Sequence, residues 1–211
     1  MTAGTPLGAE GFAALVGVSR ETLVRFEAYA ALLLEWSRRI NLVGSSTLSD
    51  IWRRHFLDSA QLLPLIPAGA KNLVDLGSGA GFPGLVLAIL GVPGVELIEA
   101  DSRKAAFLRE AARIAGAPIV LRPCRIEAVA PHSASVVTAR GCAPLDRLLP
   151  LAQQFIGSDT TCLFLKGERA EEELTAAGKA WTMMVSRYPS RADPAGVVLS
   201  LQQVMCEPCR A

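Results

Sequence analysis

Three glycines at alternate positions give the clearest chemical signal in this sequence. Gly77, Gly79 and Gly81 follow a short apolar run at 72–76, and an apolar helical pattern continues over 85–90. A strand, a glycine-rich turn and a helix form the opening of a nucleotide-binding βαβ unit. Because glycine has no Cβ, such a turn can approach a ligand closely, and the free amides of the next helix can meet a polar group. We therefore predict a nucleoside ligand here, with a plain tight crossover as the alternative.

Asp75 and Phe82 indicate which kind of nucleoside. A frame that starts at Gly79 matches the dinucleotide pattern G-x-G-x-x-G, which alone is a weak signal. The first glycine after the strand is Gly77, however, and in that frame Phe82 stands where the third glycine belongs. The Asp75 carboxylate would repel a pyrophosphate and suits a cation. S-adenosylmethionine, which carries a sulfonium and an ammonium group and no phosphate, fits both observations.

The acid after the second predicted strand is the next candidate. Glu99 lies 22 residues beyond Gly77, close to the spacing at which a carboxylate binds the ribose hydroxyls. Asp101 is the competitor for this role, although Asp101-Ser102-Arg103-Lys104 is typical of helix initiation. We therefore assign the ribose to Glu99 and leave Asp101 as the alternative.

Alternating short β-rich and longer helical patterns after residue 70 predict the elements that position these groups. They indicate an α/β fold, a Rossmann-like, seven-stranded, mostly parallel sheet with helices on both faces. The turn-rich segment 188–194 predicts that the last two strands form an antiparallel hairpin at a sheet edge. The predicted strands are 71–76, 95–99, 118–122, 135–139, 160–165, 181–186 and 196–204, and the predicted helices are 83–90, 102–115, 124–130, 144–156 and 169–179.

The front of the chain predicts an N-terminal helical extension, with 1–68 as the extension and 69–211 as the cofactor-binding core. Residues 1–18 show no firm periodicity, and Ser19 is a plausible N-cap for a helix that ends near Ile40. The segment 41–47 has the composition of a loop, and a second helix is expected from 48 to about 65.

Composition limits the class of protein. The 211 residues are 51% hydrophobic and carry a net charge of +1, and neither a signal peptide nor a membrane-length apolar run is found, so we expect a cytoplasmic protein. Five scattered cysteines do not form a disulfide framework. Cys206 and Cys209 have the spacing of half a zinc site, but no second close pair exists, and we expect no metal.

Several further segments, in the same order along the chain, resemble one family. The chain is similar to the glucose-inhibited division protein B family, the bacterial small-subunit ribosomal RNA guanine-N7 methyltransferases. The matching segments are Ile40-Asn41-Leu42, Arg54-His55-Phe56-Leu57-Asp58-Ser59, the glycine stretch 75–84, Arg103-Lys104-Ala105-Ala106-Phe107-Leu108, Cys124-Arg125-Ile126-Glu127, Thr138-Ala139-Arg140-Gly141-Cys142-Ala143-Pro144-Leu145 and Leu165-Lys166-Gly167.

This resemblance implies a Rossmann-like methyltransferase that uses S-adenosylmethionine to methylate a guanine N7 in the decoding region of 16S ribosomal RNA. It implies that Gly77 and Phe82 line the cofactor, that Ile126 and Glu127 lie beside the adenine, and that Arg140 lies where cofactor and RNA meet. Past about 175 the match fades. The basic tail usual in the family is absent, which puts RNA contacts of the tail in doubt.

Guanine N7 carries no proton, so its methylation needs positioning and exclusion of water, and no general base. A carboxylate or an arginine can recognise guanine, and His55 and Asp58 share a helix face that could present such groups beside Arg54. The alternative is an Arg54–Asp58 ion pair with His55 packed beside it. Asn41 could contact the base or cap the next helix, and Lys166 could face the ligand edge or be a solvated lysine.

The charge distribution and the overall function each allow more than one interpretation. Residues 101–147 contain eight basic and four acidic side chains, a pattern that fits either RNA contacts or ordinary solvated helix faces. The partner expected is 16S RNA or the small ribosomal subunit, and nothing in the sequence demands more than a monomer. A methyltransferase for another acceptor and a nonenzymatic nucleoside-binding protein remain alternatives. An NAD-dependent dehydrogenase is disfavoured by Phe82.

Overall fold

A single seven-stranded sheet runs through the computed structural model, which describes residues 6–207. The strand order is β3-β2-β1-β4-β5-β7-β6, and only β7 runs antiparallel to its neighbours. All seven predicted strands are confirmed, including the terminal antiparallel hairpin. The strands are β1 Leu73–Leu76, β2 Val95–Ile98, β3 Ile119–Arg122, β4 Val136–Arg140, β5 Thr161–Lys166, β6 Trp181–Pro189 and β7 Val197–Cys206.

Helices cover both faces of the sheet, as predicted. Side chains alternate along β1, so Leu73 belongs to the hydrophobic core on one face and Val74 to the core on the other. The first core contains α4, α5 and the N-terminal helices, and the second contains α6 and α7. The helices are α1 Ala9–Val16, α2 Arg20–Trp36, α3 Asp58–Ala60, α4 Gly84–Ile89, α5 Ser102–Ile114, α6 Leu145–Ala152 and α7 Ala170–Ala177.

Two predicted helices differ from the structure, and one helix forms where none was predicted. The predicted helix 124–130 is only a 3-10 turn, Ile126–Ala128, because a segment this short needs a packed face and only Ile126 and Val129 are buried. Residues 1–18 lack firm periodicity, yet α1 forms around the fully buried Phe12. The expected helix from 48 to 65 is interrupted: its regular parts are a 3-10 helix Ser45–Asp50, a π-helical stretch Trp52–Leu57, α3 and a 3-10 turn Leu63–Leu65.

The helices before β1 pack against the sheet through aromatic side chains. Phe12, Phe26 and Phe56 are fully buried and meet one another edge to face, with ring centroids 5.1 to 6.1 Å apart. The Arg25 guanidinium also donates hydrogen bonds to main-chain carbonyls at the ends of α4 and α5, including that of Ala115 at 2.6 Å. These contacts fix the N-terminal helices against one face of the sheet.

We expect Phe56→Ala to lower the free energy of unfolding by about 3–5 kcal/mol, because it removes a fully buried ring from the aromatic cluster. Leu34→Ala is the control, since Leu34 lies on α2 with 42% of its surface exposed and should cost less than about 0.5 kcal/mol. Urea denaturation of both variants measures the difference. Equal losses in the two variants would contradict the packing described here.

Candidate functional site

The glycine turn lies at the point where the strand order reverses. β1 pairs with β2 on one side and with β4 on the other, so the carboxyl ends of β1 and β4 open a crevice between them. Gly77, Gly79 and Gly81 have φ angles of 63°, 59° and 93°, a region that side-chain-bearing residues rarely adopt. A Cβ at Gly77 would also lie 2.8 Å from the Sγ of Cys142. Both conformation and space therefore favour glycine at this turn.

Asp75 lies beneath the turn, inside the protein. Its carboxylate has no exposed surface and accepts hydrogen bonds from the Thr138 hydroxyl at 2.8 Å and the Gly84 amide at 3.2 Å. Burial raises its pKa to about 6, against the opposing effect of these hydrogen bonds. The sequence argument placed this acid beside a cationic ligand, whereas the structure uses it to fix the first residue of α4 against β1 and β4.

Glu99 is the acid that borders the crevice. Its Oε2 accepts a hydrogen bond from the Gly79 amide at 2.8 Å, and its Oε1 accepts one from the Asp101 amide at 2.7 Å. Each oxygen keeps a further lone pair for a hydroxyl group. Asp101 instead caps α5, because its Oδ1 accepts from the amides of Arg103 and Lys104. The choice of Asp101 as the helix N-cap is thus confirmed, and Glu99 is tied directly to the glycine turn.

The turn after β3 carries the pair that the family resemblance places beside the adenine. Ile126 is buried there and Glu127 is exposed. Burial and the negative charge of Asp75 raise the pKa of the Cys142 thiol, after β4, and the Lys166 ammonium opposes that rise. Of the residues expected to bind the cofactor, Gly77, Gly79 and Glu99 are joined at the glycine turn, whereas Asp75 and Phe82 are buried beneath it.

Arg140, the last residue of β4, joins the sheet to the N-terminal helices. Its Nη1 donates to the carbonyl of Arg54 and to Asp58 Oδ2, both at 3.1 Å, and its Nη2 donates to His55 Nδ1 at 2.9 Å. The guanidinium carbon lies 4.7 Å from the centre of the Phe82 ring. Phe82 itself is only 3% exposed and stacks under both Arg140 and His55, so it supports the guanidinium from below.

The partners of His55 determine its tautomer. Arginine can only donate, so Nδ1 of His55 must accept, and the proton must lie on Nε2. Nε2 is 2.7 Å from the Thr47 hydroxyl, whose own proton is donated to the Gly44 carbonyl. Burial, and after it the charges of Arg140 and Arg54, lower the pKa of His55 to about 3. His55 is therefore neutral and hydrogen-bonded through both ring nitrogens.

The alternative of an Arg54–Asp58 ion pair is wrong. Arg54 pairs with Asp193 at 2.8 Å, and Asp58 pairs with Arg140 at 3.1 Å. The Asp58 side chain turns inward, where burial raises its pKa and the Arg140 guanidinium opposes that rise. Asn41, by contrast, lies exposed in the loop after α2. The structure thus brings His55, Asp58 and Arg140 together and leaves Asn41 on the surface.

A cavity of about 490 Å³ adjoins this group and opens at the carboxyl ends of β4 and β5. The Lys166 ammonium lies in its wall, where it donates to the Ala143 carbonyl at 2.8 Å and pairs with Glu173 at 2.8 Å. Sequence reasoning missed Glu173, Ser190 and Asp193, which carry no motif and lie where the family resemblance fades. The main polar lining residues are Arg54, Asp58, Arg140, Lys166, Glu173, Ser190 and Asp193.

Neither a metal centre nor a membrane span is found in residues 6–207. No group of three or more His, Cys, Asp or Glu side chains in that range could hold a metal ion. No helix there is long and apolar enough to cross a membrane. Of the predicted cysteine pair, Cys206 is exposed and Cys209 lies outside the described residues.

The fold is the Rossmann-like fold of class I methyltransferases. Two solved structures illustrate this fold. The first is the magnesium protoporphyrin IX methyltransferase of Synechocystis PCC 6803 with bound S-adenosylmethionine, which aligns at a TM-score of 0.57 and 13% identity. The alignment covers 88% of this chain and 98% of that chain. A putative O-methyltransferase from Klebsiella pneumoniae, also at 0.57 and with 15% identity, covers 90% and 92%.

Comparison with protein sequences identifies the family within this fold. The family model "GidB: rRNA small subunit methyltransferase G" matches residues 22–193. The ribosomal RNA small subunit methyltransferase G of Paramagnetospirillum magneticum is 58% identical over 94% of this chain and 97% of its own length. The chain belongs to the rRNA small subunit methyltransferase G family and is a methyltransferase whose methyl donor is S-adenosylmethionine.

Protonation of His55 should make the protein less stable in acid. The ordinary pKa of 6.5 applies to the unfolded chain and about 3 to the folded one, so the unfolded chain binds the proton first as the pH falls below 6.5. This contribution is complete above pH 6.5 and is lost between 6.5 and about 3, by up to about 1.4 kcal/mol per pH unit. His55→Asn keeps an acceptor for Arg140 and removes the titration.

We therefore expect the wild type to lose about 2 kcal/mol more than His55→Asn between pH 7.5 and pH 5 in urea titrations. Asp75 acts in the opposite direction, because its raised pKa lets the folded chain bind a proton between about 6 and 3.8. That contribution is common to both proteins and cancels in the difference. The same pH dependence in both proteins would show that His55 is not held neutral.

Proposed function

We propose that this chain transfers the methyl group of S-adenosylmethionine to N7 of a guanine in the decoding region of 16S ribosomal RNA. The observation that carries the proposal is the junction of two recesses at the end of β4. Cys142 faces Gly77 in the crevice and also lines the 490 Å³ cavity, whose volume falls within the range of about 300–1,000 Å³ typical of small-ligand sites. A nucleoside in the crevice and a base in the cavity would meet beside Arg140.

In this proposal the crevice binds the cofactor. Gly77 and Gly79 allow the close approach of its backbone, and Glu99 accepts hydrogen bonds from the ribose hydroxyls. Ile126 and Glu127 bound the adenine, through an apolar surface and a polar edge respectively. Asp75 and Phe82 act one layer below, where Asp75 holds the start of α4 and Phe82 supports Arg140. The bound cofactor supplies an electrophilic methyl group.

The neighbouring side chains fit an acceptor that needs no proton removed. His55 is neutral with both nitrogens engaged, and the Asp58 oxygens accept from Arg140, Gln61 and Ser190, so neither is free to act as a base. Guanine N7 offers a lone pair without a proton. The work left for the protein is to orient the base, exclude water and hold a fixed positive charge at the entrance.

Arg140 and Lys166 are the cations that we assign to the RNA side. Arg140 is pre-positioned by four contacts, and Lys166 lies in the cavity wall. His55 and Asp58 hold Arg140, and exposed Asn41 contacts the RNA. Extension 1–68 then serves the RNA together with Arg140 and Lys166 of core 69–211, and the core also binds the cofactor. The chain acts as a monomer in the cytoplasm, on the RNA or on the small subunit.

The direct test uses purified protein, labelled S-adenosylmethionine and small-subunit particles or RNA from cells that lack this gene. We expect label on a single guanine of 16S RNA, located by strand cleavage at N7-methylguanine. Arg140→Ala should reduce transfer by at least about 100-fold, because it removes a charge held at the junction, while cofactor binding persists. Label on protein or on a small molecule instead would exclude the proposal.

Glu99→Gln should weaken cofactor binding by about 10- to 100-fold, because hydrogen bonds to a carboxylate are stronger than those to an amide. Glu96→Gln is the control: Glu96 lies on β2, three residues before Glu99, but pairs with Arg122, and the change should leave the affinity unchanged. Calorimetric titration with S-adenosylhomocysteine measures both. Equal affinities for Glu99→Gln and the wild type would show that Glu99 does not bind the ribose hydroxyls.

A further inference from the structure

The connection between β6 and β7 forms the far wall of the cavity at the end of β4. Five residues of this connection line the cavity: Ser190, Ala192, Asp193, Gly196 and Val197. The strand order β1-β4-β5-β7 places the connection beyond β5, on the side away from the crevice between β1 and β4. The wall is well defined, because the Ser190 hydroxyl accepts from the amides of Ala192 and Asp193, at 3.1 and 3.2 Å. A late segment of the chain, without a motif in its sequence, therefore completes the cavity.

Guanine has a fixed arrangement of donors and acceptors, which determines what this wall would meet. N7 and O6 are acceptors on one edge, and N1–H and the N2 amine are donors on the other side of the base. A guanine that presents N7 to the crevice points its donor edge away from the crevice, towards the far wall. The natural partner for two adjacent donors is a carboxylate.

Three carboxylates line the cavity, and two of them already have structural roles. Asp58 is enclosed, with Oδ2 accepting from Arg140 and Oδ1 from Gln61 and Ser190. Glu173 Oε2 accepts from the Leu145 amide at the start of α6 and is paired with Lys166. Both groups hold neighbouring elements in place.

Asp193 differs from the other two, because its Oδ1 accepts only within its own turn, from the Ala195 amide at 3.1 Å, and its Oδ2 faces Arg54. Its side chain is the most exposed of the three, at 33% against 15% for Asp58 and 20% for Glu173. Its charged partner, Arg54, is itself 38% exposed and lines the same cavity. Ion pairs this open to solvent contribute little to stability, so a ligand can displace the partner at low cost.

We propose that Asp193 is the specificity-determining residue that accepts hydrogen bonds from N1–H and the N2 amine of the target guanine. The pair with Arg54 keeps the carboxylate charged and oriented before the base arrives. Adenine and cytosine present no such pair of donors on that side, so the wall selects guanine after Arg140 and the crevice have set the position of N7. This inference rests on the proposed function and assigns the selection within it.

The test compares two RNAs that carry guanine or inosine at the methylated position found in the transfer experiment above. Inosine keeps N7, O6 and N1–H and lacks only the N2 amine. We expect the wild type to prefer guanine by about 10- to 100-fold in kcat/KM, since one hydrogen bond to a charged group is lost. Asp193→Asn should lower kcat/KM for guanine and bring the ratio to within about threefold of one.

Three further variants separate base selection from a merely structural role. Arg54→Gln breaks the same ion pair but keeps the carboxylate, so the rate can fall while the guanine preference remains. Glu173→Gln should also keep the preference. Asp159→Asn alters an exposed aspartate beside Thr160 and Thr161, at the opposite edge of the sheet, and should change neither rate nor ratio.

The outcomes are distinct. A wild-type protein that methylates neither RNA overturns the proposed function and this inference with it. An active wild type whose guanine preference survives in Asp193→Asn overturns the inference alone. Loss of the preference in Arg54→Gln or Glu173→Gln overturns it as well, because the ion pair or the other carboxylate would then be responsible. Unchanged cofactor binding by Asp193→Asn confirms that the variant is folded.

Discussion

The Arg140 guanidinium is the point on which the site depends. It ends a central strand, yet its hydrogen bonds go to the N-terminal helices, at Arg54, His55 and Asp58, and its face lies over Phe82. A largely enclosed charge is tolerated only when it is paired and hydrogen-bonded, and removal of one partner leaves the other uncompensated. The carboxylate of Asp58, the neutral imidazole of His55 and a main-chain carbonyl meet that need together.

This requirement explains the protonation states around it. His55 accepts from Arg140 only if it stays neutral, and burial together with two nearby arginines keeps it so. Asp58 experiences opposing effects, because burial favours its neutral form and the guanidinium favours the charged one. Asp75, further inside, lacks a direct cationic partner among its hydrogen bonds and has its pKa raised to about 6. The protein's own side chains thus determine the protonation of His55, Asp58 and Asp75.

Different parts of the chain form the two recesses that a two-substrate reaction requires. The glycine turn and Glu99 border the crevice, while the helical extension and the β6–β7 connection border the cavity. Arg140 and Cys142 lie where the two recesses adjoin. Membership of the rRNA small subunit methyltransferase G family fits a site in which positioning and charge replace acid–base chemistry.

By itself the sequence determined what local patterns encode: seven strands, the glycine turn, the cap at Asp101, and Glu99 at the spacing expected for the ribose. It could not determine partners that are distant along the chain. Spacing suggested Arg54 with Asp58, whereas folding pairs Asp58 with Arg140, 82 residues away, and Arg54 with Asp193. It placed Asp75 beside a ligand, but packing of α4 encloses it. Side chains one turn apart are neighbours in any helix. Charges from distant segments meet only when the sheet order and the packing place them together. Tertiary structure alone therefore decided the partners of Arg140 and the far wall of the cavity.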